Sequence, residues 1–468
     1  MKKILLLTFT LTLALMSSSQ TVWDPIQNID PATGPDAYVI ASGDLDGDTD
    51  MDIAIGTFAF GNDIVRWYEN DGAGNFTIKP NVSTVPLGGV GGIAIADLDG
   101  INGNDIITVS YLDNALIWYA NDGLGGFSDE QNISTSVVGA GQVTVKDINN
   151  DGDDDVAVVA FDGDEAVWFA GNGDGTFGAK QVIASVTEPG IINFADFDGD
   201  GDLDVVLGFS QSPGNGVIEV YYNQYIENGT MTVSWIKDTN TVDSGNPFLF
   251  VAAFADVDDD GTLEIIKSDN TSGEVAYYDK IKNGDSTETI IQDDTIIDRP
   301  AVVAVADFDN DTYNDVLVTD GGSVDDALIW FESTDVGTLM PNALIANNNY
   351  QIFGATIADF DGDGDKDVAS VGFFSETVDW YENKLETLSN QGFQSQEIGF
   401  YPNPTKDKLY FRSNNLETIT ISVFDVLGKK VLAKELAIDR SFNVSELKSG
   451  MYIIKFKGIN ASYKFVKN

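Results

Sequence analysis

Short apolar runs broken by polar turns extend through most of the chain, with no sustained helical stripe between them. Runs such as Ile53-Ala54-Ile55-Gly56 and Val156-Ala157-Val158-Val159 are bounded by Asp, Gly and Asn, a pattern that predicts strands. A second kind of run carries paired aromatics: Trp67-Tyr68, Trp118-Tyr119, Trp168-Phe169, Tyr221-Tyr222, Tyr277-Tyr278, Trp330-Phe331 and Trp380-Tyr381. Neighbours on a strand face opposite sides, so at most one of each pair can reach a given interface. Their recurrence favours packing between successive units over a ladder for ligand stacking. In the first three units a Gly/Asn turn ending in Phe follows, as in Asn70 to Phe76, and a variable strand such as Gln131-Asn132-Ile133 closes the unit.

Between the first two apolar runs of each unit stands D-x-D-x-D-x-x-x-D or a close variant. Its first residue is Asp44, Asp97, Asp147, Asp196, Asp256, Asp307 and Asp359, giving spacings of 53, 50, 49, 60, 51 and 52 residues. A period near fifty accommodates four short strands with turns, the size of one propeller blade. The expected fold is therefore all-β: a seven-bladed β-propeller over residues 20–384. The last unit lacks a fourth strand after Trp380-Tyr381-Glu382-Asn383, whereas Val22 to Ile29 resembles the fourth strand of other units. The N-terminal strand is expected to complete the seventh blade and to cover an otherwise open sheet edge.

The ends differ in composition. Residues 1–19 pair Lys2 and Lys3 with an apolar run, Ile4 to Met16, and then Ser17, Ser18 and Ser19. This reads as a signal peptide, too short to span a bilayer. Nothing else is long and apolar enough to span, so an exported, soluble protein is expected. Residues 385–398 are polar and lack periodicity, which suits a linker. From Gly399 onward 12 Lys+Arg stand against 6 Asp+Glu, and alternating runs such as Ile419 to Val423 and Tyr452 to Phe456 suggest a small β-sandwich over 399–468. The whole chain has 75 acids and 25 bases, so the acidity is concentrated in the middle. That charge disfavours nucleic acid or an anionic membrane as partner. With no histidine and no cysteine, the chain has no Ser-His-Asp or Cys-His catalysis, no zinc site of imidazole or thiolate, and no disulfide.

In an extended strand the alternate acids would point the same way and repel. A tight turn instead converges the first, third and fifth side chains on one point, as in the early part of a calcium loop, with a final carboxylate at the ninth position. The candidate ligands are Asp44, Asp46, Asp48 and Asp52; Asp97, Asp99 and Asp105; Asp147, Asn149, Asp151 and Asp155; Asp196, Asp198, Asp200 and Asp204; Asp256, Asp258, Asp260 and Glu264; Asp307, Asp309, Asp311 and Asp315; and Asp359, Asp361, Asp363 and Asp367. The seventh position is expected to offer a backbone carbonyl. Oxygen-only ligands in a flexible loop favour Ca²⁺ over Mg²⁺, at six to seven sites. The second loop, with Ile101 at its fifth position, is expected to be weak, and the first, fourth and seventh are the fullest.

These loops resemble the FG-GAP/VCBS repeat family, which includes the α-subunit propellers of integrins, over about residues 40–384. The resemblance implies a propeller with Ca²⁺ in hairpin loops of the blades, but no integrin-like choice of ligand. The tail resembles the C-terminal sorting domain of type IX secretion cargo found in Bacteroidota. The match lies at Phe400 to Pro404, Val423 to Lys429, Leu447 to Tyr452 and Lys464 to Lys467. It implies export to the outer surface through the type IX machinery. The expected function is a monomeric, non-enzymatic binding or adhesion module for a glycan or surface protein, with the insert at Asn223 to Thr241 as a place for a ligand loop. The alternative is a polysaccharide hydrolase or lyase using paired carboxylates.

Overall fold

The computed structural model describes residues 20–386 and 399–468, apart from 35, 213–214, 227–231, 240, 247–248, 280–285, 294–296, 298, 322–327, 334–338, 347–350, 402–404, 413–418, 426–428, 437–440 and 457–458. The expected leader and residues 387–398 of the expected linker lie outside the described residues. Two compact units result, Met1–Glu386 and Thr387–Asn468. Among the described residues every regular element is a strand, and no helix is long and apolar enough to cross a membrane.

In the first unit each repeat forms an antiparallel sheet; the first six repeats run their four main strands in sequence order, and the fourth adds Asp243–Asn246 beside its third strand. Ala37–Gly43, Asp52–Thr57, Val65–Asn70 and Phe76–Ile78 make the first. Second strands such as Asp52–Thr57, Asp105–Ser110 and Asp155–Ala160 are buried along their whole length. Both faces of each sheet are therefore covered by neighbouring sheets, which is why these segments read as continuous apolar runs. The first strands Ala37–Gly43, Ile93–Ala96, Ala140–Lys146, Pro189–Ala195, Leu249–Ala255, Pro300–Ala306 and Ile352–Ala358 each lie beside the next, and the last lies beside the first. This is an all-β architecture of propeller type.

The sheet containing Ile352–Ala358, Asp367–Gly372 and Thr377–Tyr381 takes its fourth strand from the start of the chain. Gln27–Asp30 pairs with Thr377–Tyr381, with Gln27 opposite Trp380 and Asn28 opposite Asp379. Asp30 is held from the first repeat by Arg66 at 3.1 Å and by the Tyr68 hydroxyl at 3.0 Å. The residues just before this strand, Gln20–Trp23, pair instead with Asn383–Glu386 in a separate two-stranded ladder. The stretch after Asn383 thus forms a strand where the sequence suggested passage into a linker, because the chain's own start supplies its partner.

The aromatic pairs divide as strand alternation requires. Trp67 packs edge-on against Phe127 of the second repeat at 6.1 Å, and Trp380 against Phe76 of the first repeat at 6.0 Å. The adjoining Tyr68 faces the other way, into a cluster with Ala358 and Phe360 of the seventh repeat. In the fourth repeat the register differs from the sequence reading. Val205 opposes Tyr221 and Val206 opposes Val220, so Val220 takes the tryptophan position and Tyr222 falls one place beyond the aromatic pair.

The second unit has two sheets, one of Gly399–Tyr401, Lys408–Arg412 and Ser441–Asn443, the other of Lys430–Leu436, Ile419–Asp425, Gly450–Phe456 and Ile459–Lys467. Leu409 and Phe442 of the first and Ile421, Val423, Ile454 and Phe465 of the second share one apolar core.

Candidate metal loops and the joints between repeats

Each acidic loop joins the first strand of a sheet to the second. Its first carboxylate organises the turn by accepting backbone N–H groups from within the loop. Gly47 and Thr49 donate to Asp44 at 2.7 and 3.0 Å, and Gly362 and Gly364 donate to Asp359 at 2.8 and 3.0 Å. The fourth and sixth positions take left-handed backbone in all seven loops. Glycine or Asn/Asp mostly stands there, but Thr49 at φ 82° and Thr312 at φ 84° are β-branched residues in a region they disfavour.

The turn brings the predicted carboxylates together. One oxygen from each of Asp44, Asp46 and Asp48 lies within 4.8 Å of the others, and the same holds for Asp256, Asp258 and Asp260. In the second and fourth repeats the convergent sets are Asp97, Asp99 and Asp105, and Asp196, Asp198 and Asp204. Three carboxylates therefore meet in the second loop even though Ile101, 56% exposed, stands at its fifth position. In the third loop Asp147 and Asn149 both accept the N–H of Asp151, at 3.1 and 2.9 Å. Asp200 and Asp311 donate their N–H groups back to Asp196 and Asp307 in the same way, at 3.2 and 3.0 Å, and Asp363 donates to Asp361 at 3.3 Å. Burial, then the nearby Asp48, pushes Asp46 up to about 6. Burial followed by the facing Asp311 raises Asp309 to about 7, and burial followed by Asp363 raises Asp361 to about 6.

The ninth-position acids have a second task. They are fully buried, and their oxygens accept backbone N–H groups from the loop and from the end of the third strand. Asp52 takes Leu45 and Asn70, both at 2.8 Å; Asp367 takes Phe360 at 3.0 Å and Asn383 at 2.8 Å. Desolvation raises Asp105 to about 6, Asp52, Asp155, Asp204 and Asp367 to about 7, and Glu264 and Asp315 to about 8. Each carboxylate thus latches its own loop to its own sheet.

Three features escaped the sequence reading. The first is a joint between repeats. The residue just past the third strand's aromatic pair and its follower reaches into the preceding loop and donates to the carbonyl after its first Asp. Asn70 donates to Phe360 at 2.7 Å, Asn121 to Leu45 at 2.8 Å, Asn223 to Ile148 at 3.1 Å, Ser333 to Val257 at 3.0 Å and Asn383 to Phe308 at 2.8 Å. The second is an acid at or just past the end of the third strand, beside the loop's third position. Glu69 meets Asp46, Asp279 meets Asp258, Glu332 meets the sixth loop, and Glu382 meets Asp361. Asp258, Glu264 and Asp279 lie within 4.8 Å of one another. The third concerns the seventh position, where Asp202 and Asp365 are buried and use their side chains to accept Ile226 N–H at 3.2 Å and Leu385 N–H at 2.7 Å. Tyr225, Thr232 and Val233 of the fourth-repeat insert line a cavity of about 350 Å³ beside Asn149 and Asp151.

Residues 147–207, 196–267 and 307–370 match the FG-GAP-like repeat family, and residues 399–468 match the secretion system C-terminal sorting domain. The chain carries FG-GAP-like repeats and a type IX sorting domain. The sorting domain marks it for type IX secretion, to the cell surface or beyond. No curated protein matches the chain. Among solved structures, this FG-GAP-like repeat chain is similar to an Agrocybe aegerita lectin that recognises non-reducing terminal N-acetylglucosamine, at 16% identity over 94% of this chain and 99% of that one, TM-score 0.45. It is also similar to the V. cholerae biofilm matrix protein Bap1, at 14% identity over 79% of this chain and 92% of that one, TM-score 0.44. A luciferin-regenerating enzyme is similar at 10% identity over 64% of this chain and 92% of that one, TM-score 0.40. At these scores none of them bears on the choice of ligand.

Proposed function

We propose that the first unit is a seven-bladed β-propeller closed by Gln27–Asp30, that its acidic loops bind Ca²⁺, and that the exported chain is a non-enzymatic binding or adhesion module. The observation that carries the metal reading is the convergence of Asp44, Asp46 and Asp48, where the buried Oδ1 of Asp46 has no hydrogen-bond partner. An oxygen-only cluster with an orphaned carboxylate oxygen fits a hard cation. The first, third and fifth residues would hold it in each loop, joined by the ninth; the ion supplies positive charge where acids crowd. Cyclic neighbourhood of the first strands supports the closed ring. So does a cavity of about 210 Å³ lined jointly by Val39, Ile93, Val143, Val302 and Ala355, which belong to five different repeats. The acids nearest to one another are engaged in the loops, which favours binding over catalysis.

Chelation tests the metal. At tenfold excess over its dissociation constant each site adds about 1.4 kcal/mol, so removing calcium should lower the melting temperature substantially, and readdition should restore it. A melting temperature indifferent to both would refute the assignment. Incubation with polysaccharides should release no shortened products; steady release would favour the enzyme.

A further inference from the structure

The strand ends away from the acidic loops carry a second pattern. Six residues after each ninth-position acid, where the second strand ends, stand Phe58, Tyr111, Phe161, Ser210, Asn270, Gly321 and Phe373 in turn. Six residues before each first Asp stand Tyr38, Gly91, Gly141, Gly190, Phe250, Ala301 and Phe353. Were these positions purely structural, they would be alike around the repeats. Instead aromatics run through four consecutive repeats, the seventh, first, second and third, besides Phe250 of the fifth, and glycines stand six residues before the first Asp in the second, third and fourth.

The rings form a continuous crescent. Phe353 and Phe373 lie 5.5 Å apart, Phe353 and Tyr38 5.8 Å, Tyr38 and Phe58 5.1 Å, Phe58 and Tyr111 5.9 Å, and Tyr111 and Phe161 6.5 Å. Three of the five ring pairs are tilted and two are edge-on, and the six rings are half-buried, so parts of their faces stay open to solvent. Phe60 and Phe374 extend the surface outward, each 62% exposed. Where the crescent meets the glycines there is a cavity of about 350 Å³ walled by Phe58, Tyr111 and Phe161. It is hollow because Gly141 and Gly190 line it without side chains; a Cβ on Gly190 would meet nothing within 4 Å. Its polar groups are few: Glu188, Gln142 and Ser210 line it, and the Tyr111 hydroxyl bonds to Asp162. Among the described lining residues none is a lysine or arginine.

We propose that this crescent and cavity are the ligand site, and that the ligand is an oligosaccharide free of acid groups. The inference rests on the reading of the chain as a binding module. Sugar rings present apolar C–H faces that lie on open aromatic rings, and hydroxyls that donate to carboxylates and amides; a purely apolar ligand would cover Glu188 without offering it a donor. A row of rings at intervals of 5.1 to 6.5 Å suits a chain of sugars better than one small molecule. Carboxylates without a compensating cation exclude uronates and sulfated sugars, and they favour an amine-bearing sugar through the ring faces as well.

The test uses the full calcium-loaded chain on an array of neutral, amine-bearing, uronate and sulfated oligosaccharides, followed by calorimetry on the best binder. Neutral or amine-bearing oligomers should bind. Tyr111→Ala should weaken binding by about tenfold or more, and Gly190→Phe, which fills the cavity, should abolish it, with thermal melting unchanged in both. Preference for acidic sugars, or absence of binding to any sugar, overturns the proposal. Capture of a protein that depends on Tyr111 also overturns it while leaving the binding module intact. Sugar binding that both variants retain removes this site but keeps the module; polysaccharide cleavage removes the module as well.

Discussion

A side-chain carbon on Gly74 would sit 2.0 Å from Cη2 of Trp380, so the tryptophan of the last repeat rests on the turn of the first because residue 74 has none. Gly125 and Gly175 stand in the same relation to Trp67 and Trp118. Gly74 also has φ 69°, so alanine there meets both a clash and an unfavourable backbone. Gly74→Ala should cost about 2–4 kcal/mol in urea unfolding. Gly34→Ala, at φ 98° with nothing within 4 Å, should lose only the backbone share, about 1–2 kcal/mol. Equal losses in the two variants would show that the ring contact carries no weight.

Removal of residues 20–30 takes away the fourth strand of the last sheet, the partner of Asn383–Glu386, and the buried Asp30 that Arg66 and Tyr68 hold. The truncated chain should melt about 5 °C lower or more. An unchanged melting temperature would mean that the last sheet stands without its borrowed strand.

The raised ninth-position acids give the metal-free fold an unusual dependence on pH. Their folded values, about 6 to 8, lie above the ordinary carboxylate range near 4. Burial favours the protonated form, so their contribution is fully present below about pH 4 and is lost as pH rises through the folded values. In chelator, the melting temperature should therefore fall between pH 5 and pH 8, and calcium should flatten that fall by favouring the charged form. A chelated protein that gains stability over this interval would contradict the assignment of these carboxylates as desolvated latches.

Thr312, at φ 84°, holds the sixth position of its loop at a backbone cost that glycine does not incur. Thr312→Gly should raise stability by up to about 1 kcal/mol, the left-handed penalty less the extra chain entropy of glycine. Its N–H bond to Asp307, 2.9 Å, remains available. A loss on substitution would show that the hydroxyl contributes more than the strain costs.

The repeats were legible because each carries Asp at fixed offsets and a run buried on both faces, as along Asp155–Ala160. The convergence at Asp44, Asp46 and Asp48 follows from the same spacing. The joints were not legible, since a single polar residue such as Asn70 or Ser333 has no visible role until the preceding loop is placed beside it. In the third repeat that position is Gly171, which breaks the pattern further. The fourth repeat misled because two tyrosines mimic the aromatic pair one place late, and only pairing with Val205 and Val206 fixes the register. The aromatic crescent was hidden for a related reason: its members stand at two offsets, and at each in only some of the repeats.

The bond from Asn70 to Phe360 spans 290 residues. A chain emerging from its amino end must therefore wait for almost the whole unit to appear before the first repeat finds its last partner. Until then the early sheets remain an unfinished arc with a bare flank. Contacts of such long reach slow folding, and the joint of the first repeat can close only after the seventh repeat has taken shape.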